Sequence, residues 1–511
     1  MSSKGQVTPR RINQPSIEHE SQEEIRRRCD AVCAGEQKVK AFDSVLDLSR
    51  FSNLLIPFST SMEQDQYNFF RNEAELPGIS SSFIRMLIGG LLRKAPEVVL
   101  PEYLPEEAQQ HISNEIGKDS SSLTSLLDEA LYNEIITDNA WIYVEHPVSD
   151  TEDTSLWPTP VLWKGEDVIN TRVDTGKDGI QKLSMIAYRD YEEVYPKEID
   201  LQTPEIHSSF YSVVWLHFIE DGKYRIAKYR ASTGSQYKEI IDTTNTSSSF
   251  DFIEEYSAPE IGGEALNYIP AWPLNGSYTV KEPIILTLVN REVHLYNKMA
   301  RRNHLLYNAA TYTPVLKSAM EPSDFAKLVG SGLGTWLQIG VDDEIEALQI
   351  PTEALEHLEK SIAANIEEMA KLGVRMLSPE KAQSGVALTL RNASQSSQIG
   401  TLSLKVANTF RQVIAFMLSW KYQKEVSTAE VSIKLSTDFM QSYTGDNWVE
   451  MATEWYQEML IPRSLWLTIC KANDAVPPEY DDDLGKLEMN NDPLKLAQEE
   501  MNKDPAQSFK G

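Results

Sequence analysis

The run Pro351-Thr352-Glu353-Ala354-Leu355-Glu356-His357-Leu358-Glu359-Lys360-Ser361-Ile362-Ala363-Ala364-Asn365-Ile366-Glu367-Glu368-Met369-Ala370-Lys371-Leu372-Gly373 decides how this chain is built. Proline stands at the start, where a helix tolerates its missing N–H, and Gly373 marks the expected stop. Leu355, Leu358, Ile362, Ile366 and Met369 recur at helical spacing and form one apolar stripe. Glu353, Glu356, Glu359, Glu367 and Glu368 lie mostly elsewhere. The spacing therefore predicts an acidic helix with a single broad apolar face.

Before it, the helical period holds over residues 283–310, with Arg291, Lys298 and Arg302 along one stripe. At ~1.5 Å per residue such a helix spans roughly 40 Å, longer than the average helix of a globular protein. Thr313-Pro314 closes it, and the short segment 311–350 carries strand-like pieces at 315–317, 336–339 and 344–348. After Gly373, the Pro, Ser and Gly content of 378–385 predicts a loop, and 386–420 a third long helix. The order is long helix, small insert, long helix, loop, long helix. The first two carry complementary charge and one broad apolar face each, so a lone subunit covers them poorly and assembly into a ring would bury them.

Upstream, residues 1 to about 35 are polar and charged and predict a mobile arm with some helix near its end. Tyr67, Phe70 and Ala74, then Phe83, Met86 and Leu87, give 42–92 a helical period broken by Pro77-Gly78. An amphipathic helix is expected over 123–137, ending before the strand run Ala140-Trp141-Ile142-Tyr143-Val144. Between Pro160 and Trp272 the period becomes two, with short strands at 161–163, 168–172, 182–188, 211–218, 224–229 and 238–241. Asp221-Gly222 is a hairpin signal, and the Ser/Thr-rich stretches 232–237 and 242–250 are expected loops. A β-like piece at 431–435, helices over 448–472 and an acidic tail with Asp481-Asp482-Asp483 close the chain. The predicted class is α+β, in two to four structural units.

Lys plus Arg number 48 against 76 Asp plus Glu, a formal net charge of −28. That balance repels nucleic acid over most of a surface, whereas a groove-reading DNA binder is usually basic. An acidic wall equally suits a conduit through which DNA passes without sticking, because counterion release at Lys and Arg is what makes binding tight. Cys29, Cys33 and Cys470 are too few and scattered for a disulfide framework, as expected in a reducing cytosol. The N-terminus is polar with no apolar leader core, and no apolar run approaches 18 residues, so neither a leader nor a membrane span is expected.

Chemistry is hard to find. Gly330-Ser331-Gly332-Leu333-Gly334 lacks the final Lys-Ser/Thr of a phosphate loop and reads as turn chemistry. Ser384-Gly385 lacks the frame of a nucleophile elbow. The eight histidines are dispersed, and Cys29 and Cys33, four apart on one helix face, lack the two further soft ligands that zinc requires. Asp342-Asp343-Glu344 lacks the glycine and spaced ligands of a calcium loop. The expectation is a protein that is not an enzyme and holds no cofactor or metal. A hydrolase would need two carboxylates converging in a pocket.

Leu372-Gly373-Val374, then Ser378-Pro379-Glu380-Lys381, then Ser384-Gly385-Val386-Ala387-Leu388 and the long helix after them resemble the stem helix, tunnel loop and tunnel helix of tailed-bacteriophage portal proteins. Residues 283–310 resemble the first stem helix, 311–350 the clip and 351–372 the second stem helix. Arg71-Asn72, Gly89-Gly90-Leu91-Leu92-Arg93-Lys94-Ala95-Pro96, residues 139–147 and Glu166-Asp167-Val168-Ile169-Asn170 are similar to the wing of a compact subfamily of these head-to-tail connectors. The resemblance covers about residues 42–480; a basic C-terminal stretch is missing.

It implies a flexible arm over 1–41, a mixed α/β wing over 42–282 (helical to 137, β-rich from 138), stem helices at 283–310 and 351–373 and a small α/β clip at 311–350. A tunnel loop would follow at 374–386, then a tunnel helix with a return to the wing at 387–440, a short helical crown at 441–480 and an acidic flexible tail at 481–511. It further implies a dodecameric ring at one capsid vertex of a virion assembled in a bacterial cytoplasm. Double-stranded DNA would pass through it during packaging, retention and ejection. The partners implied are the major capsid protein, the packaging terminase ATPase and a head-completion adaptor, with no membrane. By the same resemblance Ser378, Pro379, Glu380, Lys381, Gln383, Ser384 and Gly385 belong to the tunnel loop, and Arg291, Lys298, Arg302, Glu356, Glu359 and Glu367 to the stem and channel. The stripe Leu355, Leu358, Ile362, Ile366 and Met369 would face the neighbouring subunit. Phe325 and Trp336, in a clip too small for its own core, would meet the adaptor. The competing expectation is another virion or scaffold component whose helices bundle without a channel.

Overall fold

The computed structural model describes residues 11–47, 52–146, 156–176, 179–195, 208–235, 249–256, 258–310, 315–317, 321, 337–339, 352–377 and 397–435, and the single positions 453, 457, 466, 467 and 470. Helices and mostly antiparallel sheets make an α+β protein in two units, Met1–Ser436 and Thr437–Gly511.

Ser16 opens α1 (Ile17–Ala34) by accepting the His19 backbone N–H, and α2 (Glu36–Phe42) follows Gly35, whose φ of 109° suits glycine. Much of the stretch expected to be a mobile arm is thus ordered helix, with Arg26, Cys29, Val32 and Cys33 all buried. The physical reason is long-range. Arg26 donates from Nε to the Thr137 carbonyl and from Nη1 to the Gly165 carbonyl, each at 3.2 Å. A charge that reads as solvated in the sequence is held in the interior by two distant carbonyls.

The helices α3 (Gln64–Glu73), α4 (Ile79–Leu91), α5 (Glu106–Asn114) and α6 (Leu123–Thr137) continue this layer, and α1 packs on α2, α4 and α6. Expected to be amphipathic, α6 instead buries residues on most sides, including the polar Asn133, Glu134 and Thr137. Asp138 ends it in the left-handed region at φ 44°.

Short β1 (Glu97–Val99) precedes two larger sheets. In one, β2 (Trp141–Glu145) lies between β11 (Ala271–Pro273) and β3 (Thr159–Trp163). The other is an antiparallel meander of β4 (Val168–Thr175), β5 (Gln181–Val194), β6 (Ser209–Glu220), β7 (Lys223–Ala231) and β8 (Phe250–Tyr256). Asp221 and Gly222, at φ 51° and 74°, turn β6 into β7 as the hairpin signal predicts. The expected loop 242–250 gives way to β8 at Phe250, while the strand expected at 238–241 lies outside the described residues. Aromatic rings join the two sheets: Trp163 stacks on Tyr188 at 4.1 Å and on Tyr143 at 5.0 Å, with His217 beside Tyr143 at 4.8 Å. A small hairpin, β9 (Glu260–Ile261) and β10 (Glu264–Ala265), completes the strands before the long helices.

These are α7 (Leu286–Ala310), α8 (Thr352–Leu377) and α9 (Ser397–Tyr422), with parallel β12 (Val315–Lys317) and β13 (Leu337–Ile339) between the first two. α8 runs through Gly373, the expected stop, to Leu377. One interior glycine costs a helix only about 1 kcal/mol, and Val374, Arg375, Met376 and Leu377 can continue it. α9 packs on β2 and β11, its Thr409 Oγ1 donating to the Pro273 carbonyl at 3.0 Å. After it, β14 (Ser432–Lys434) pairs with β1. In the second unit Trp466 Nε1 donates to Thr453 Oγ1 at 3.1 Å and Cys470 is buried. The expected crown meets the described residues only at those five positions, and 481–511 lie outside them. No helix of the described residues is long and apolar enough to cross a membrane.

Candidate assembly face of the long helices

The first half of α7 is an internal post. Leu288, Val289, Leu295, Tyr296 and Ala300 are buried, and so is the charged Glu292. Its carboxylate accepts the backbone N–H groups of Ile79 and Ser80 at 2.8 and 2.7 Å, supplying a cap to α4, whose own cap position is Gly78. Anions are favoured at a helix N-terminus, and these amides have no intrahelical acceptor. One turn on, Asn297 Oδ1 accepts the Ile56 N–H and its Nδ2 donates to the Leu54 carbonyl, both at 2.7 Å. Two buried polar side chains of α7 thus hold segments more than 200 residues away. Nearby, Asp43 accepts the Leu54 and Leu55 N–H groups, and burial pushes its carboxyl up to about 6.

α8 leans on α7 in antiparallel register. Arg291 meets Glu368 at 3.0 Å, and Lys298 donates to Ser361 Oγ at 2.7 Å, so seven residues forward on α7 is seven back on α8. The C-terminus of α7 and the N-terminus of α8 therefore lie at one end of the pair, where 311–351 connects them. Two of the three cations expected to stand along the channel are occupied by α8. The third, Arg302, donates to the Asn303 side chain.

The apolar stripe of α8 divides. Ile362 and Met369 are buried within the chain, which corrects the expectation that they face a neighbouring subunit. Leu355 and Leu358 are half-buried, and Ile366 is 44% exposed. On the outer side Ala363, Ile366 and Ala370 form a narrow apolar seam, with Glu356, Glu359, Glu367 and Glu368 exposed on the same helix. Among the described residues the chain covers Ile362 and Met369 and leaves this flank of the same broad apolar stripe exposed.

Phe325, Trp336, Ser378, Pro379, Glu380, Lys381, Gln383, Ser384 and Gly385 lie outside the described residues. Sequence reasoning missed Glu292, which a helical wheel places among apolar neighbours with nothing to mark its distant amides. It also missed the buried carboxyl pair of Glu134 and Asp138, four apart at the end of α6. Burial first, and Asp138 second, hold the Glu134 carboxyl well above the usual range, while Glu134 Oε2 accepts the Ala140 N–H at 3.1 Å. The pair secures the turn into β2. Burial likewise lifts the Cys29 thiol to about 12 and Cys33 above the ordinary range, so neither is a ready thiolate at neutral pH. Among the described residues no group of three or more His, Cys, Asp or Glu could hold a metal ion.

No curated protein matches the chain. A family model described as "Domain of unknown function (DUF4055)" matches residues 284–421, which takes in α7, α8 and nearly all of α9.

Proposed function

We propose that this chain is the subunit of a portal ring, the channel at one capsid vertex through which a tailed phage packages, retains and ejects double-stranded DNA. The observation that carries the reading is α8: α7, α4 and α9 pack against it and Ile362 and Met369 are buried, while the flank Ala363, Ile366 and Ala370 is exposed among the described residues and has small residues that let a second helix approach closely. A head-to-tail contact of that kind repeats around an axis and closes into a ring. The family match over 284–421 supports the reading in a limited way, since it selects the same three helices without assigning them a role. The net charge of −28 supports it too, because a repulsive wall lets DNA slide. In this reading the segment joining α7 to α8 forms the clip that docks the terminase ATPase and later an adaptor, 378–385 forms the tunnel constriction, and the β-rich part meets the major capsid protein.

Electron micrographs of the purified full-length chain test it: rings with a central hole are expected, and solid bundles or lone subunits contradict it. In particles, Lys381→Glu should leave capsid attachment intact and lower DNA content. Wild-type content would remove that loop from the constriction.

A further inference from the structure

Between the β9–β10 hairpin and the C-terminal end of α9 lies an open cleft of about 700 Å³. Gly262 and Gly263, at φ 62° and 78°, make the hairpin turn. Gln423 ties it across to α9, its Oε1 accepting the Gly262 N–H at 2.8 Å. The lining includes an aromatic cluster: Phe416, buried, has Trp272 at 5.9 Å and 61° and Tyr268 at 6.2 Å and 80°. Glu264 and Glu425 also line the cleft, both exposed, and neither carboxylate has an ion pair or hydrogen bond among the described residues. Nearby cations are directed elsewhere. Lys424 sits over Tyr103 at 5.0 Å, Lys421 over Trp157 at 4.8 Å, and Arg411 donates to the Thr428 carbonyl at 3.2 Å.

We propose that this cleft binds an arginine-bearing peptide segment of a partner protein. A planar guanidinium satisfies both parts of the lining at once, lying on an aromatic face while its N–H groups reach a carboxylate. The volume falls in the range of small-ligand pockets and exceeds one side chain, so flanking backbone enters with it. The acidic chain steers a basic segment toward the site from a distance. The inference stands apart from the ring reading, because the cleft is complete within one chain.

The test is fluorescence anisotropy of a dye-labelled, amidated Gly-Arg-Gly-Arg-Gly peptide titrated with the full-length protein at fixed salt. Saturable binding is expected, weakened about tenfold by the double change Glu264→Gln with Glu425→Gln, as for loss of close charge pairing. The exposed control pair Glu18→Gln with Glu20→Gln should change nothing. Tyr268→Leu should also weaken binding, with an unchanged thermal midpoint showing that the fold is intact. Absence of binding overturns the proposal. So does equal weakening by the control pair, which assigns the effect to general surface charge. Displacement of the peptide by spermidine at matched charge also overturns it, since a free polyamine would then be the ligand.

Discussion

α7 and α8 are nearly equal in length and lie side by side, yet they answer to different partners. α7 spends its polar residues inward, with Glu292 and Asn297 satisfying buried backbone groups of α4 and the 54–56 segment. α8 exposes most of its carboxylates, pairs Glu368 with Arg291 of α7, and among its described side chains buries Ile362 and Met369. A helix that caps other elements belongs to the fold of its own chain. One that leaves Ala363, Ile366 and Ala370 exposed among the described residues is, in the proposed reading, the helix that meets a neighbouring subunit. The contrast makes separable claims about stability and assembly.

The largest effect expected is from Ile362→Asp. It places a carboxylate between α7 and α8 and should cost ~4 kcal/mol of subunit stability, read as a lower urea midpoint. An unchanged midpoint would return Ile362 to the outer face. Glu292→Ala comes next. Two amides at the start of α4 lose their acceptor, and ~3 kcal/mol should disappear, measured by the same unfolding curves; a neutral result would break the distinction between the helices.

A pH series separates fold from assembly differently. Burial, then nearby His146, lowers the pKa of His217 to about 3, from an ordinary value of 6.5. The unfolded chain takes up a proton that the folded one refuses, so stability is greatest above about pH 6.5 and falls as pH drops toward 3. His217→Phe should flatten that fall by up to ~1.4 kcal/mol per pH unit, and a slope unaltered by the change would place the acid sensitivity elsewhere. The smallest effect belongs to Arg291→Ala. Both members of the Arg291–Glu368 pair are half in solvent, so the loss should be ~0.5 kcal/mol and vanish at high salt. A loss of several kcal/mol would mean that the helices are held by charge and not by Ile362 and Met369.

Much of the architecture was legible because it is local. Period 3.6 located the long helices, period 2 located β4 to β7, and Asp221-Gly222 named its own turn. What escaped depends on distant partners. Arg26 looks solvated until the carbonyls of Thr137 and Gly165 are brought to it. β14 is three residues long and finds β1 more than 300 residues earlier. The stripe on α8 was read correctly as apolar, but a helical wheel does not show which apolar face the rest of the chain will cover. The aromatic cleft escaped for the same reason, since Trp272 and Phe416 meet only once α9 crosses β11.

The most direct measurement is the native mass of the wild-type chain beside Ile366→Asp, with urea unfolding run on both. The account predicts closed oligomers for the wild type, and for the variant separate subunits whose unfolding midpoint matches that of unassembled wild-type chain. A wild type that stays monomeric at every concentration, or a variant that assembles as well as the wild type, would contradict it.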